Sequence, residues 1–138
     1  MNPSPPVREG SCLCGEILFI LSGEMKWCSN CHCTRCQKGH GSGYVTWIAY
    51  EQNQIKILDK SEYLKWYSTS EKSEFGFCLA CGSSIFYRSQ KVQSEIHITL
   101  ANLHNSKDIY PSSDNYFDTH VHWMKIDKTL PKRNDPKL

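Results

Sequence analysis

Apolar residues in this sequence fall in short, partly alternating runs rather than in long helical repeats. The runs richest in β-branched and aromatic residues predict strands, because such residues suit a half-buried pleated surface. They cover residues 44–50, 55–58, 63–67, 84–88 and 95–100. No longer stretch has a convincing 3.6-residue period, and only residues 34–39 are expected to form a helical turn. The pattern therefore predicts a mainly β fold of short strands with little helix.

The two ends of the chain differ in composition from its middle. Residues 1–9 contain three prolines, and residues 129–138 are rich in proline and charge, which is typical of poorly ordered termini. A chain of 138 residues also has the usual size of a single domain. We therefore expect one folded domain over residues 10–128, flanked by disordered segments at 1–9 and 129–138.

Hydropathy and charge exclude several classes of partner. The longest uninterrupted run of aliphatic and aromatic residues covers only residues 17–21, whereas a helix needs roughly 20 apolar residues to span a bilayer. The first nine residues lack the cationic and apolar regions of a secretory signal. We therefore expect a cytoplasmic protein without a membrane partner. The formal net charge of +2 is too small to indicate a nucleic-acid partner.

Eight cysteines carry the strongest chemical signal in the chain. A reducing compartment disfavours stable disulfides, and cysteines two or three residues apart can direct their sulfurs to one point. This combination favours zinc or a similar metal that prefers sulfur ligands. The cysteines lie at positions 12 and 14, at 28, at 31, 33 and 36, and at 78 and 81.

Two of these pairs, distant in sequence, together supply the four thiolates of a closed tetrahedral zinc site. A glycine follows each pair, at Gly15 and Gly82, where the absence of a Cβ allows the backbone to turn tightly. The sequence therefore predicts a structural zinc site that clamps two distant parts of the chain. Its expected ligands are Cys12, Cys14, Cys78 and Cys81.

A second group of cysteines offers only three thiolates. Cys31, Cys33 and Cys36 lie within six residues, and three protein ligands leave one tetrahedral position open, as in catalytic zinc sites. Cys28 provides an alternative, because Cys28-Ser29-Asn30-Cys31 is itself a C-x-x-C motif that would close the site. The spacing alone does not distinguish these two arrangements.

Three cysteine motifs in order resemble the glutathione-dependent formaldehyde-activating enzyme (GFA) family. They read GSCLCG at residues 10–15, CHCTRCQK at 31–38 and FCLACGS at 77–83, with Phe86-Tyr87 and then Thr119-His120-Val121 farther along. The resemblance implies a small zinc-clamped β-tent fold of short antiparallel sheets. It also implies a structural zinc at Cys12, Cys14, Cys78 and Cys81, and a labile active-site zinc at the catalytic residues Cys31, Cys33 and Cys36. Its Thr119-His120-Val121 segment is similar to a C-terminal histidine strand of the family.

The resemblance implies a zinc-dependent carbon–sulfur lyase that adds glutathione or a similar thiol to formaldehyde or another small carbonyl. Thiol exchange also suits a zinc ion with three thiolates, because it is a weaker Lewis acid than zinc held by three neutral imidazoles. Arg35, Lys38 and Arg88 are the nearest basic candidates for the carboxylates of glutathione. The alternative is a zinc-stabilised binding module without turnover, which would hold a protein or nucleic acid.

Several histidines and tryptophans are assigned less specific roles. His97 lies opposite the aliphatic positions of its predicted strand and is expected to face solvent, and His120 and His122 are expected on one polar strand face. Trp47 and Trp66 are expected in the core, whereas Trp27 is a weaker candidate for lining a pocket. Residues 39–43 are expected to form a flexible glycine-rich loop beside the open metal site.

Overall fold

The computed structural model describes residues 3–134, and within them the chain is mainly β. Seven residues form the one α-helix, α1, Thr34–His40; three single turns of 3-10 helix lie between strands and a fourth follows the last strand. The ten strands are β1 Arg8–Ser11, β2 Leu18–Leu21, β3 Trp27–Cys31, β4 Val45–Glu51, β5 Ile55–Leu58, β6 Leu64–Ser70, β7 Ser73–Cys78, β8 Ser84–Ser89, β9 Glu95–Thr99 and β10 Asp114–Asn115.

These strands form two sheets. The larger sheet has seven strands in the order β10-β3-β4-β9-β8-β7-β6, and the smaller has three in the order β1-β2-β5. All neighbours pair antiparallel except β10 and β3, which run parallel. The predicted mainly β fold with little helix is therefore confirmed.

The main hydrophobic core lies between the small sheet and one face of the large sheet. Phe19 of β2 meets Phe86 of β8 edge to face, with their ring centroids 5.5 Å apart, and the aliphatic residues of β4 and β9 pack around them. The fully buried side chains of this core include Ile17, Phe19, Leu21, Ile48, Ile85, Phe86 and Ile98.

The opposite face of the large sheet carries a second, smaller apolar cluster. Trp47 of β4 stacks parallel to Phe75 of β7 with centroids 6.2 Å apart, and Cys36 and Val45 complete the buried part of this cluster. Successive residues of a strand point to opposite faces. The large sheet is therefore covered by the main core on one side, and on its other side it supports the candidate site.

All five predicted strands occur, with small shifts at their ends, and the predicted turn at 34–39 is α1 without its last residue. The prediction missed β1, β2, β3, β7 and β10. Strand β3 gave no apolar alternation because its central residues Ser29 and Asn30 are polar and nevertheless buried. They receive partners from the C-terminal part of the chain, since Asn30 donates to Asp114 and Asn115 donates to Ser29.

Two local expectations near the candidate site are wrong. Residues 119–122 do not form a strand: Phe117–Thr119 is a 3-10 turn, and the exposed ring of His120 stacks on Phe117 with centroids 3.9 Å apart. The expected glycine-rich loop is partly helix, because Gly39 and His40 belong to α1 and Gly41 ends it in the left-handed conformation with φ 62°.

The predicted limits of the domain stay predictions, and residues 1–2 and 135–138 lie outside the described part of the chain. Pairing extends beyond those limits on both sides. Strand β1 begins at Arg8, and Lys132 forms a parallel bridge with Asp114. Within residues 3–134, no helix has the length and apolar character that crossing a membrane requires.

Candidate functional site

Four cysteines from the two predicted pairs come together in the structure. We call Cys12, Cys14, Cys78 and Cys81 the four-cysteine cluster; all its sulfurs lie within 4.8 Å of one another. The Sγ atoms of Cys12 and Cys14 are 3.5 Å apart, and those of Cys14 and Cys78 are 3.8 Å apart. Zinc–sulfur bonds of about 2.3 Å in a tetrahedron give sulfur–sulfur separations of about 3.8 Å. The donor set and its spacing therefore fit a closed zinc site.

Backbone turns on both sides shape the four-cysteine cluster. Gly15 and Gly82 have φ values of 81° and 78°, a region that side chains rarely adopt. The turns are joined because the Leu13 amide donates to the hydroxyl of Ser83 over 2.8 Å. The same hydroxyl lies 3.2 Å from the sulfur of Cys81, and this hydrogen bond lowers the pKa of Cys81 to about 5. One thiolate is therefore favoured before any metal binds.

The second group, the three-cysteine cluster of Cys31, Cys33 and Cys36, lies where β3 passes into α1. Cys31 ends the strand, Cys33 caps the helix and Cys36 lies in its first turn. All three sulfurs lie within 4.8 Å of one another, and those of Cys31 and Cys36 are 3.4 Å apart. These sulfurs therefore come from one short segment of the chain, in contrast with those of the four-cysteine cluster.

The three thiols differ in proton affinity. Hydrogen bonds from the thiols of Cys31 and Cys36, helped by the Cys36 amide 3.3 Å from its sulfur, lower the pKa of Cys33 to about 2. The contact with Cys33 raises the pKa of Cys31 to about 12, and contacts with both neighbours raise that of Cys36. One thiolate shared by two thiols has the charge and donor type for a soft cation such as zinc.

Cys28 stands apart from both clusters. It lies in β3 three residues before Cys31, so the two side chains point to opposite faces of the strand. Its side chain is buried in the main core, and burial raises the pKa of its thiol to about 11. The arrangement with Cys28 as a fourth ligand is therefore absent from this structure.

A cavity of about 860 Å³ opens over the three-cysteine cluster and along the second face of the large sheet. Aromatic residues form much of its wall, namely Trp27, Trp47, Phe75 and Tyr87. Of the predicted basic residues only Arg35 lines it, and Lys38 does not. Arg88 instead binds Glu74 at 2.9 Å and covers the ring of Trp66. The other cations of the cavity wall are Lys72, Lys91 and Arg133, which sequence analysis missed.

Trp27 therefore does line a pocket, and Trp47 is buried as expected while also forming part of the cavity wall. Trp66 is only half-buried and packs against the main core, stacked on Phe86 with centroids 6.1 Å apart.

The loop of the three-cysteine cluster is fixed from behind by residues of the C-terminal segment. His32, between two of the cysteines, is fully buried and lies 3.0 Å from the carboxylate of Asp114. Lys132 reaches the other oxygen of that carboxylate at 2.7 Å. The backbone carbonyl of His32 accepts hydrogen bonds from Gln37 and Thr119. The histidine inside the C-H-C motif could have indicated this support, and the sequence analysis assigned it no role.

His97 does not face solvent as predicted. Its side chain is only 16% exposed and lines the cavity. The ring lies between Trp27, at a centroid distance of 4.6 Å, and Tyr87, at 5.4 Å. It is therefore a strand histidine on the non-aliphatic face, as expected, but that face is covered by aromatic rings rather than by water.

Comparison with known proteins agrees with this site. The model of the family described as glutathione-dependent formaldehyde-activating enzyme matches residues 7–119. The chain belongs to this GFA family. The match includes both cysteine clusters and most of the cavity wall.

One relative and one solved structure illustrate the range of similarity to this GFA chain. A protein of Schizosaccharomyces pombe named as an uncharacterized lyase is 29% identical over 82 residues, which cover 59% of this chain and 58% of the relative. The chain thus spans little more than half the length of that relative. A crystal structure of a Rhodobacter sphaeroides protein has a TM-score of 0.60 at 18% identity and covers 72% of this chain and 91% of its own. That likeness concerns the fold alone.

Proposed function

We propose that this GFA-family chain is a zinc-dependent enzyme of the carbon–sulfur lyase type that joins glutathione, or a similar thiol, to formaldehyde or another small carbonyl. Its activity would be like that of an S-(hydroxymethyl)glutathione synthase. One observation carries the proposal: three sulfurs, rather than four, converge in the wall of an open cavity. A donor set that is one ligand short leaves room for a substrate atom.

The two clusters take different roles in this proposal. The four-cysteine cluster holds a structural zinc, and the three-cysteine cluster holds a labile zinc. Zinc bound at the latter supplies a soft Lewis acid that keeps a substrate thiol deprotonated. The thiolate of Cys33 and the two neighbouring thiols are the ligands that the chain itself provides.

The reaction needs one bond and one proton transfer. The thiol sulfur attacks the carbonyl carbon, a carbon–sulfur bond forms, and the carbonyl π electrons move to oxygen, which takes the proton that the thiol loses. No oxidant or leaving group is required. The chain's contribution is to hold both reactants together in a cavity walled by Trp27, Trp47 and Phe75, because proximity supplies much of the rate in such additions.

Charge in the cavity also supports an anionic thiol as substrate. Arg35 and Arg133 line the cavity together with the three-cysteine cluster, and glutathione carries two carboxylates. Arginine binds a carboxylate with two parallel hydrogen bonds.

The experiment compares wild-type protein with Cys33→Ser. Nuclear magnetic resonance exchange spectroscopy measures how fast formaldehyde and glutathione interconvert with their adduct, and metal analysis counts zinc. We expect wild type to accelerate the exchange and Cys33→Ser to return it to the uncatalysed rate, with loss of one zinc equivalent and an unchanged circular dichroism spectrum. Cys28→Ala is the matched control for zinc content, and it should keep both equivalents.

Wild-type protein that holds both zinc ions equally firmly against a chelator and accelerates nothing would contradict the proposal. That result would favour the alternative of a binding module without turnover.

A further inference from the structure

One face of the small sheet is turned away from the main hydrophobic core. Successive residues of a strand point to opposite faces, so the residues between those buried in the core form a separate surface. We call this surface the outer face; it consists of Glu9, Ser11, Leu18, Ile20, Lys56 and Leu58. The cavity lies beyond the large sheet, on the other side of the main core, so the outer face is independent of the candidate site.

Aliphatic side chains form the middle of the outer face. Leu18 of β2 pairs with Leu58 of β5, and Ile20 lies two residues along β2 on the same face. Leu18 and Leu58 are 41% and 40% exposed, whereas the solvent side of an antiparallel sheet is ordinarily polar. Covering adjoining apolar side chains with a second surface removes them from water, and this favours association.

One acidic and one basic side chain lie on opposite sides of this apolar centre. Ile20 pairs with Glu9 of β1 on one side and with Lys56 of β5 on the other, so the three residues form one row across the sheet. Both charged side chains are exposed, and neither forms a salt bridge within residues 3–134. Each charge is therefore available to a group outside the row.

The outer face is complementary to itself under a two-fold rotation. An axis that runs along β2 in the plane between two copies exchanges the positions of β1 and β5 and leaves β2 opposite itself. Glu9 of each copy then faces Lys56 of the other, and the row of Ile20 matches its own image. Such an interface uses the same patch on both subunits, and sheets packed face to face keep their strands approximately aligned, as this axis requires.

We propose that a second copy of this chain binds to the outer face, forming a two-fold dimer with aliphatic residues at its centre and two ion pairs between Glu9 and Lys56 at its edges. A face of three strands with four residues each measures only about 14 by 13 Å, which places the interface in the small, transient class. The dimer is therefore reversible, with an expected dissociation constant of roughly 10–100 µM. Both cavities remain open, because they lie on the far side of each subunit.

The test measures the mass of the zinc-loaded protein by analytical ultracentrifugation from roughly 1 µM to 1 mM, a range that includes the expected dissociation constant. We expect wild type to change from monomer to dimer within this range. Glu9→Lys and Lys56→Glu should each raise the dissociation constant at least about 10-fold, because each variant places two pairs of like charges across the interface. Both positions are exposed, so folding is not at risk, and circular dichroism checks it.

An equimolar mixture of Glu9→Lys and Lys56→Glu gives the sharpest result. In a mixed dimer the introduced lysine faces the introduced glutamate and the two native side chains face each other, so the mixture should dimerise as wild type does. Glu71→Lys, exposed and outside the outer face, is the control for added positive charge and should dimerise normally. A mixture that stays monomeric, or a single variant that dimerises like wild type, would overturn the inference. Wild type that stays monomeric throughout would also overturn it and leave the outer face to a different protein.

Discussion

Cysteine side chains form two different kinds of cluster in this molecule, and the chain segments around them determine which kind. In the four-cysteine cluster, Cys78 is completely buried at the end of β7 and contacts the sulfur of Cys14, which lies between β1 and β2 of the small sheet. In the three-cysteine cluster, Cys33 caps a short helix and lies on the wall of the cavity. The donor atoms are identical, but only the first set is complete and joins distant parts of the chain.

Replacing Cys78 by serine should therefore unfold the protein. A structural zinc site contributes on the order of 10–16 kcal/mol of apparent binding free energy, which is comparable with the whole stability of a domain at about 5–15 kcal/mol. Circular dichroism and solubility of Cys78→Ser measure the effect. Cys36→Ser is the matched control and should remain folded with one zinc equivalent. A folded Cys78→Ser protein with two zinc equivalents would refute the structural role.

Strand β1 is closely packed at its end, directly before the four-cysteine cluster. Gly10 directly precedes the Ser11-Cys12 turn and pairs with Phe19 of β2. A Cβ atom at Gly10 would overlap the ring of Phe19 and the backbone carbonyl of Asn102. The side chain of Asn102 in turn donates to the carbonyl of Ser11 at 2.9 Å. The small sheet and the 3-10 turn after β9 therefore meet at a point that admits only glycine.

Gly10→Ala should accordingly lower the free energy of unfolding by about 3 kcal/mol, the upper range for overpacking against rigid neighbours. Gly15→Ala is the control, because a Cβ there meets nothing within 4 Å and only the positive φ opposes it, at a cost of about 1 kcal/mol. Urea denaturation followed by tryptophan fluorescence gives both values. An equal loss of unfolding free energy in the two variants would show that overlap of a Cβ at position 10 with Phe19 and Asn102 does not destabilise the protein.

The elements that were predicted correctly share one property. Their local sequence is that of a strand: β5 alternates half-buried isoleucines with exposed residues, and β4 and β9 are rich in β-branched, aliphatic or aromatic residues. Strand β3 could not be found in this way, because Ser29 and Asn30 are buried through hydrogen bonds to residues 85 or so positions away. Strand β7 was hidden by Gly76, which faces the ring of Trp66.

At the scale of the whole molecule, the C-terminal segment supports the three-cysteine cluster from behind. Asp114 is buried and joins three parts of the chain: Asn30 in β3, His32 in the loop before α1, and Lys132. Backbone hydrogen bonds from Asp114 to Pro131 and from Arg133 to Asp114 repeat the connection at 2.8 Å. The three-cysteine cluster is thus held both by its own helix and by residues almost 100 positions later.

Lys132→Met should weaken this brace. It leaves the buried carboxylate of Asp114 without its cation, and we expect a loss of about 2 kcal/mol in stability and faster removal of one zinc by a chelator. Thermal unfolding and a colorimetric zinc assay measure the two effects. Lys128→Met, exposed in the same segment, should change neither stability nor the rate of zinc removal. A rate of zinc removal in Lys132→Met equal to that of wild type would show that Lys132 does not support the three-cysteine cluster.

The candidate site was only partly predictable from the sequence, because some of its residues become neighbours only when distant strands pair. The grouping of the cysteines into pairs and a triplet could be predicted from spacing, because each group is local in sequence, but spacing alone left open whether Cys28 joins the triplet. The wall of the cavity could not, because Trp27, Tyr87 and His97 become neighbours only through the register of β3, β4, β9 and β8. His97 was predicted to be exposed because the aromatic residues that cover it come from other strands.

The separation of the ligands along the chain also sets the order in which a newly synthesised protein can acquire its metals. Residues 31–36 form a local loop, whereas Cys14 and Cys78 are 64 residues apart, and closing the longer loop costs about 2 kcal/mol more in chain entropy. On the ribosome, all residues of the three-cysteine cluster are present before Cys78 and Cys81 have been translated. Under the proposed zinc roles, the structural ion is therefore the last to bind, and the three-cysteine cluster is the first of the two sites that a nascent chain can fill.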